Sequence, residues 1–127
     1  MKKLLVVFAF IGLSGCASII DMIPSRWDVN QSKIVTDIQQ TATNFDCKGD
    51  QRAQLDTLAK QIQWFELYSS SKKTKDVANL GQTMVTTTKE FQERLDKGPV
   101  SPMYCELKKK LFVQQAEIMG RAVQGRF

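Results

Sequence analysis

The apolar spacing of the second half of the chain constrains its fold most. Val77, Leu80, Met84, Thr88, Phe91 and Leu95 are three, four, four, three and four positions apart, which places them on one face of a helix. A cap at Thr74 and a stop at Gly98-Pro99 bound the segment, and at 1.5 Å per residue it predicts a helix of roughly 35 Å. The β-branched run Thr86-Thr87-Thr88 is its soft spot, but helical spacing continues on both sides of it. A chain patterned in this way buries its apolar surface by packing helix against helix.

Three further segments repeat the pattern. Asp28 or Asn30 can cap a helix whose buried face is Ile34, Ile38, Ala42 and Phe45, and Cys47-Lys48-Gly49 ends it. Asp50 can cap the next, with Leu55, Leu58, Ala59, Ile62 and Phe65 as its stripe, before the polar turn Ser69-Ser70-Ser71-Lys72-Lys73. Ser101-Pro102 is a start signal, a cap followed by proline at the first helical position. Behind it Tyr104, Leu107, Leu111, Ile118 and Ala122 give one stripe, which Phe112, Ala116, Met119 and Val123 widen. So broad an apolar face predicts the most buried helix of the four, with Gly120 and Gly125 weakening its last turns.

The start of the chain is of another kind. Met1-Lys2-Lys3 precedes an apolar run from Leu4 to Leu13, closed by Leu13-Ser14-Gly15-Cys16. Ten apolar residues fall short of the ~20 that span a bilayer, and the order of basic, apolar and small residues reads as a signal peptide. This stretch resembles the lipobox of bacterial lipoproteins, encoded by bacteria or their phages. The resemblance covers Met1 to Ala17 and implies cleavage before Cys16, which then carries the acyl chains, palmitate among them. Ala17 replaces the aspartate that retains such proteins in the inner membrane of enteric bacteria, so the resemblance also implies an outer-membrane position facing the periplasm. The expected organisation is a signal peptide over residues 1–15, an acylated cysteine and tether over 16–29, and a helical domain over 30–127. Ile19, Ile20, Met22 and Ile23 in the tether either lie near the lipid or pack back on the domain. Trp27 suits a membrane interface equally with a place against the helices.

Loss of Lys2 and Lys3 with the signal reduces 18 basic residues to 16 against 13 acidic ones, a net charge of +3. That excess is too mild to specify an anionic partner, and an exported protein does not meet the genome, so nucleic acid is not expected. Of three cysteines Cys16 goes to the lipid, and the remaining Cys47 and Cys105 form the even pair that one disulfide needs in an oxidising compartment. Two separate buried thiols are the alternative. In an up-down-up-down bundle Cys47, ending the first helix, and Cys105, starting the fourth, fall at the same pole. Periodicity, caps and cysteine placement thus agree on an all-α, small antiparallel four-helix bundle with one disulfide. The lipid, the Lys72-Lys73-Lys75 turn and Phe127 would share the opposite, membrane-proximal pole.

Chemistry has little to work with. The chain has no histidine, which removes the usual general base, the Ser-His and Cys-His pairs and the common zinc ligand. Glu90 and Glu93 sit one turn apart, a spacing more typical of a solvated helix face than of an acid–base pair. No phosphate loop or calcium-loop pattern occurs. No enzyme activity, catalytic residue, metal or cofactor is therefore expected. Binding has two candidates. Trp64 and Tyr68, at i and i+4, share a face beside Phe65, as interface anchors or as a widened core. Lys108-Lys109-Lys110 is either a soluble face or an electrostatic contact with an anionic envelope polymer or an acidic partner.

These readings lead to a non-catalytic lipoprotein acting as a structural or interaction module of the cell envelope, tied to the membrane by lipid and bound to an envelope protein or the cell wall. A short lipoprotein with one disulfide also resembles the outer-membrane spanin subunits of phage lysis, although the proline-rich tail of some such subunits is absent. An inhibitor of a periplasmic hydrolase is a third alternative.

Overall fold

The computed structural model describes residues 27–72 and 74–125. The lipobox with Cys16, the tether up to residue 26, Lys73 and Phe127 lie outside the described residues. The first helix, α1 (Val29–Thr43), starts where the Asp28 carboxylate accepts from the backbone N–H groups of Asn30 and Gln31, each at 2.9 Å. Two of the orphan donors of a helix start are satisfied in this way. Asn30, the other candidate cap, instead donates from its side chain to the Tyr68 hydroxyl at 3.0 Å.

The second helix, α2 (Gln51–Ser71), is capped by Asp50, which accepts from the Ala53 N–H at 3.0 Å. The third arm is divided into a single turn, α3 (Lys75–Ala78), and α4 (Gly81–Asp96). The last helix, α5 (Pro102–Gln124), has Ser101 as its cap and Pro102 in its first turn. Gly98, between α4 and α5, has φ +131°, a backbone conformation that glycine adopts without a Cβ penalty.

These helices form the expected antiparallel bundle. α1 packs on α2 and α5, α4 packs on the same two, and α3 touches both α2 and α5. The pole holding the α1–α2 and α4–α5 connections also holds the Cys47–Cys105 disulfide, whose Cα atoms are 5.8 Å apart. Beneath it the rings of Phe45, Phe91 and Phe112 meet at centroid distances of 5.8 to 6.3 Å, and Tyr104 sets its edge on Phe91 at 5.4 Å. The Phe91 and Phe112 planes are near-parallel at 16° and the other pairs are tilted or edge-on, arrangements that suit the quadrupoles of the rings.

Toward the other pole the core becomes aliphatic, with Ile62, Val77, Met84, Met119 and Val123 fully buried. It ends in a polar knot. Buried Gln31 donates to Ser69 Oγ at 3.1 Å and Thr74 Oγ1 at 2.7 Å, while Thr74 Oγ1 donates to the Ser69 carbonyl at 2.7 Å. The bonds these groups make to one another offset the cost of burying the Gln31 amide nitrogen and the two hydroxyls, while Gln31 Oε1 is buried without a hydrogen-bond partner.

The third arm corrects the expectation of one continuous helix. Its break is at Asn79-Leu80, where the Leu80 N–H bonds to Val77 and the Gln82 N–H to Asn79, three-residue bonds that tighten the chain. A Cβ on Gly81 would stand 3.1 Å from Ile62 Cγ2 and 3.2 Å from Glu66 Cγ. Glycine therefore lets α4 lie close against α2, and the chain re-enters the helix there. Thr74, expected to cap this arm, makes no side-chain cap bond, since its hydroxyl is engaged in the knot.

The threonine run, by contrast, is fully helical. Thr86, Thr87 and Thr88 each donate the hydroxyl proton to the carbonyl four residues back, which satisfies the hydroxyl within its own helix.

A second correction concerns α5. Its buried residues are Cys105, Phe112, Ala116, Met119, Gly120 and Val123. Leu107 and Ile118 of the expected main stripe are 57% and 52% exposed. The residues expected to widen the face are the core itself, and the helix is not buried all round.

Candidate functional site

The sequence-selected residues fall on two surfaces of the bundle, and a third surface emerges only from the fold. The first lies at the outer edge between α1 and α2. Tyr68 is half-buried, and its hydroxyl accepts from Asn30 and stands 3.2 Å and 3.3 Å from the two carboxylate oxygens of Asp28. The hydrogen bond from the Gln31 N–H is the main cause of a lowered Asp28 pKa, with Tyr68, the Asn30 N–H and the Lys72 charge acting the same way and desolvation opposing them. One carboxylate thus caps α1 and pins α2.

Beside this clasp Trp64 is 57% exposed, its ring centroid 6.4 Å from that of Tyr68. Lys72 Nζ stands 5.6 Å from the Tyr68 centroid, within cation–π range. Trp64 is therefore no extension of the core, whereas Tyr68 packs against the core and is held by its hydroxyl. Leu67 (60% exposed) and Trp27 (49%) are further exposed apolar residues of α2 and of the entry to α1. Neither was legible as part of this surface, because nothing in the spacing says which flank of a helix its neighbour leaves open.

The lysine run divides. Lys108 has a side chain only 12% exposed; its Nζ is 2.7 Å from Glu90 Oε2 and 5.7 Å from the Tyr104 centroid. It ties α5 to α4 and is not available to a partner. Lys109 is half-buried and Lys110 exposed, and both line a shallow depression with Glu106, Val113 and Gln114. The structure therefore does not bring the three ammonium groups together as one basic patch. Glu90 and Glu93 are also separated in role, since Glu90 takes Lys108 and Glu93 pairs with Lys89 at 4.0 Å.

The third surface is the outward ridge of α5, where Met103, Leu107 and Ile118 are exposed and Leu111 is half-buried. Isolated exposed apolar side chains are ordinary, but a row along one helix marks a contact surface. A signal for it was present in the sequence: the apolar residues of α5 cover more of its circumference than its neighbouring helices shield.

A groove between α2 and α4 has Ala59, Val85 and Thr88 among its lining residues. Gln82 donates across these helices to Glu66 at 2.7 Å and Gln92 to Asp56 at 3.1 Å. Among the described residues no group of three or more Cys, Asp or Glu is arranged to hold a metal ion. No described helix is long and apolar enough to cross a membrane. No protein-family model, curated protein or solved structure matches this chain.

Proposed function

We propose that this chain is a non-catalytic lipoprotein of the outer membrane, held by acylated Cys16, whose bundle faces the periplasm as a structural or interaction module of the cell envelope. The observation that carries the reading is the Cys47–Cys105 bridge. Disulfides of this structural kind persist where proteins are exported and are rare in a reducing cytosol, so the bridge agrees with the lipobox ahead of it.

Binding, not chemistry, is supported by the kind of surface on offer. The chain lacks histidine, Glu90 and Glu93 are each engaged by a lysine, and α5 presents a row of apolar side chains. Met103, Leu107 and Ile118 are exposed along this ridge, open to an envelope protein or the cell wall.

The test is photo-crosslinking from position 107 or 118 in intact envelopes, joined to fractionation and to the mass of the Cys16 peptide. The expected result is an outer-membrane protein acylated at Cys16 that captures one envelope component from both positions. A chain recovered in the cytoplasm with free Cys47 and Cys105 thiols overturns the proposal. Capture of an inner-membrane coiled-coil protein would move it to the spanin class.

A further inference from the structure

Both tryptophans of the chain, Trp27 and Trp64, are exposed. They belong to the same quarter of the molecule. Trp27 directly precedes Asp28, Asp28 is bonded to Tyr68, and the Tyr68 ring lies beside Trp64 and under Lys72. Leu67, one position before Tyr68, is also exposed. Tyr68 is fixed by Asp28 and Asn30, and around it the edge of α1 and α2 presents two indole rings, an aliphatic side chain and an ammonium group.

We propose that this edge lies on the surface of the membrane, with Trp27, Trp64 and Leu67 at the level of the lipid headgroups and Lys72 against anionic ones. Two observations select lipid as the occupant. The first is chain length: eleven residue steps separate Cys16 from Trp27, at most about 40 Å of extended chain. Trp64 is only about 10 Å along α2 from the end of that helix, at the pole where the chain enters. The second is chemistry, since indole rings flanked by lysine favour the boundary between water and acyl chains. The inference rests on the reading of Cys16 as the anchor. A tether that short keeps the local lipid concentration high, so a contact too weak to recruit a free protein is sufficient to orient a held one. The bundle then lies along the membrane on its α1–α2 side and turns the α5 ridge away from the lipid.

The experiment supplies the anchor chemically, and so separates this inference from acylation in cells. In the chain from Cys16 to Phe127 carrying Trp27→Phe, the Cys16 thiol, left free by the Cys47–Cys105 bridge, is coupled to a maleimide-bearing lipid in vesicles of phosphatidylethanolamine and phosphatidylglycerol. Trp64 is then the sole tryptophan. Its emission is expected to shift to the blue, to be quenched by brominated lipid, and to lose about half its quenching by aqueous iodide, as for a ring with one side against headgroups. Adding Leu67→Glu, an exposed position, is expected to reverse all three changes while helical content stays the same. Trp64 emission and iodide quenching unchanged by coupling, with no quenching by brominated lipid, would overturn the proposal. Acylation is read independently from the mass of the Cys16 peptide in cells, so its failure leaves this measurement standing.

Discussion

Asp28 accepts from two backbone N–H groups of α1 and receives the Tyr68 hydroxyl of α2, so one side chain closes a helix end and an interhelical contact. These bonds favour its ionised form and lower its pKa from the ordinary 3.8. The stability it contributes is complete above that ordinary value and is lost as pH falls through the lower folded value. Asp28→Asn keeps the cap but loses the charge, and is expected to flatten the acid limb of a plot of unfolding free energy against pH, a change followed by urea titration between pH 5 and 2. Lys108 and Lys110 make a second comparison. Lys108→Gln removes an interhelical pair that is largely shielded on the lysine side, whereas Lys110→Gln removes an exposed charge. The first is expected to lower stability by about 1 kcal/mol and the second by less than about 0.5 kcal/mol, measured by urea unfolding at neutral pH.

Among the elements, the third arm shows how packing overrides a regular pattern. Val77, Met84 and Phe91 are buried as their spacing predicts, yet the helix is interrupted between α3 and α4 because Gly81 brings α4 against Ile62 and Glu66. Gly81→Val places branched carbon in that contact and is expected to cost about 1–3 kcal/mol by overpacking, seen as a lower urea midpoint with unchanged slope. Helix pairs are further joined by glutamine amides: Gln82 and Gln92 from α4 to α2, Gln115 from α5 to Thr87, and Gln124 from α5 to Thr36. These bonds cross the α2–α4, α4–α5 and α1–α5 interfaces, while between α1 and α2 the Gln31 knot and the Asp28–Tyr68 clasp serve instead.

At the scale of the whole molecule, the bridge joins the end of α1 to the start of α5 across 58 residues of sequence. By loop entropy alone such a closure contributes about 4 kcal/mol, a large share for a domain of this size. Cys47→Ser with Cys105→Ser is expected to lower the unfolding free energy by roughly that amount and the Tm by more than about 10 °C, measured by calorimetry without reductant. The sequence by itself determined the all-α class, the Asp50 and Ser101 helix starts, the buried faces of the first two helices and the meeting of the cysteines at one pole. Those features are local or follow from strand-free antiparallel connection, since period and caps act within a few residues. The tertiary structure alone decided which half of α5 is core, where the third arm breaks, that Lys108 is engaged, and that both tryptophans face outward. Period fixes that a helix has an apolar face, but only the neighbours' approach decides how much of that face is covered, and on α5 the neighbours cover less than the sequence offers.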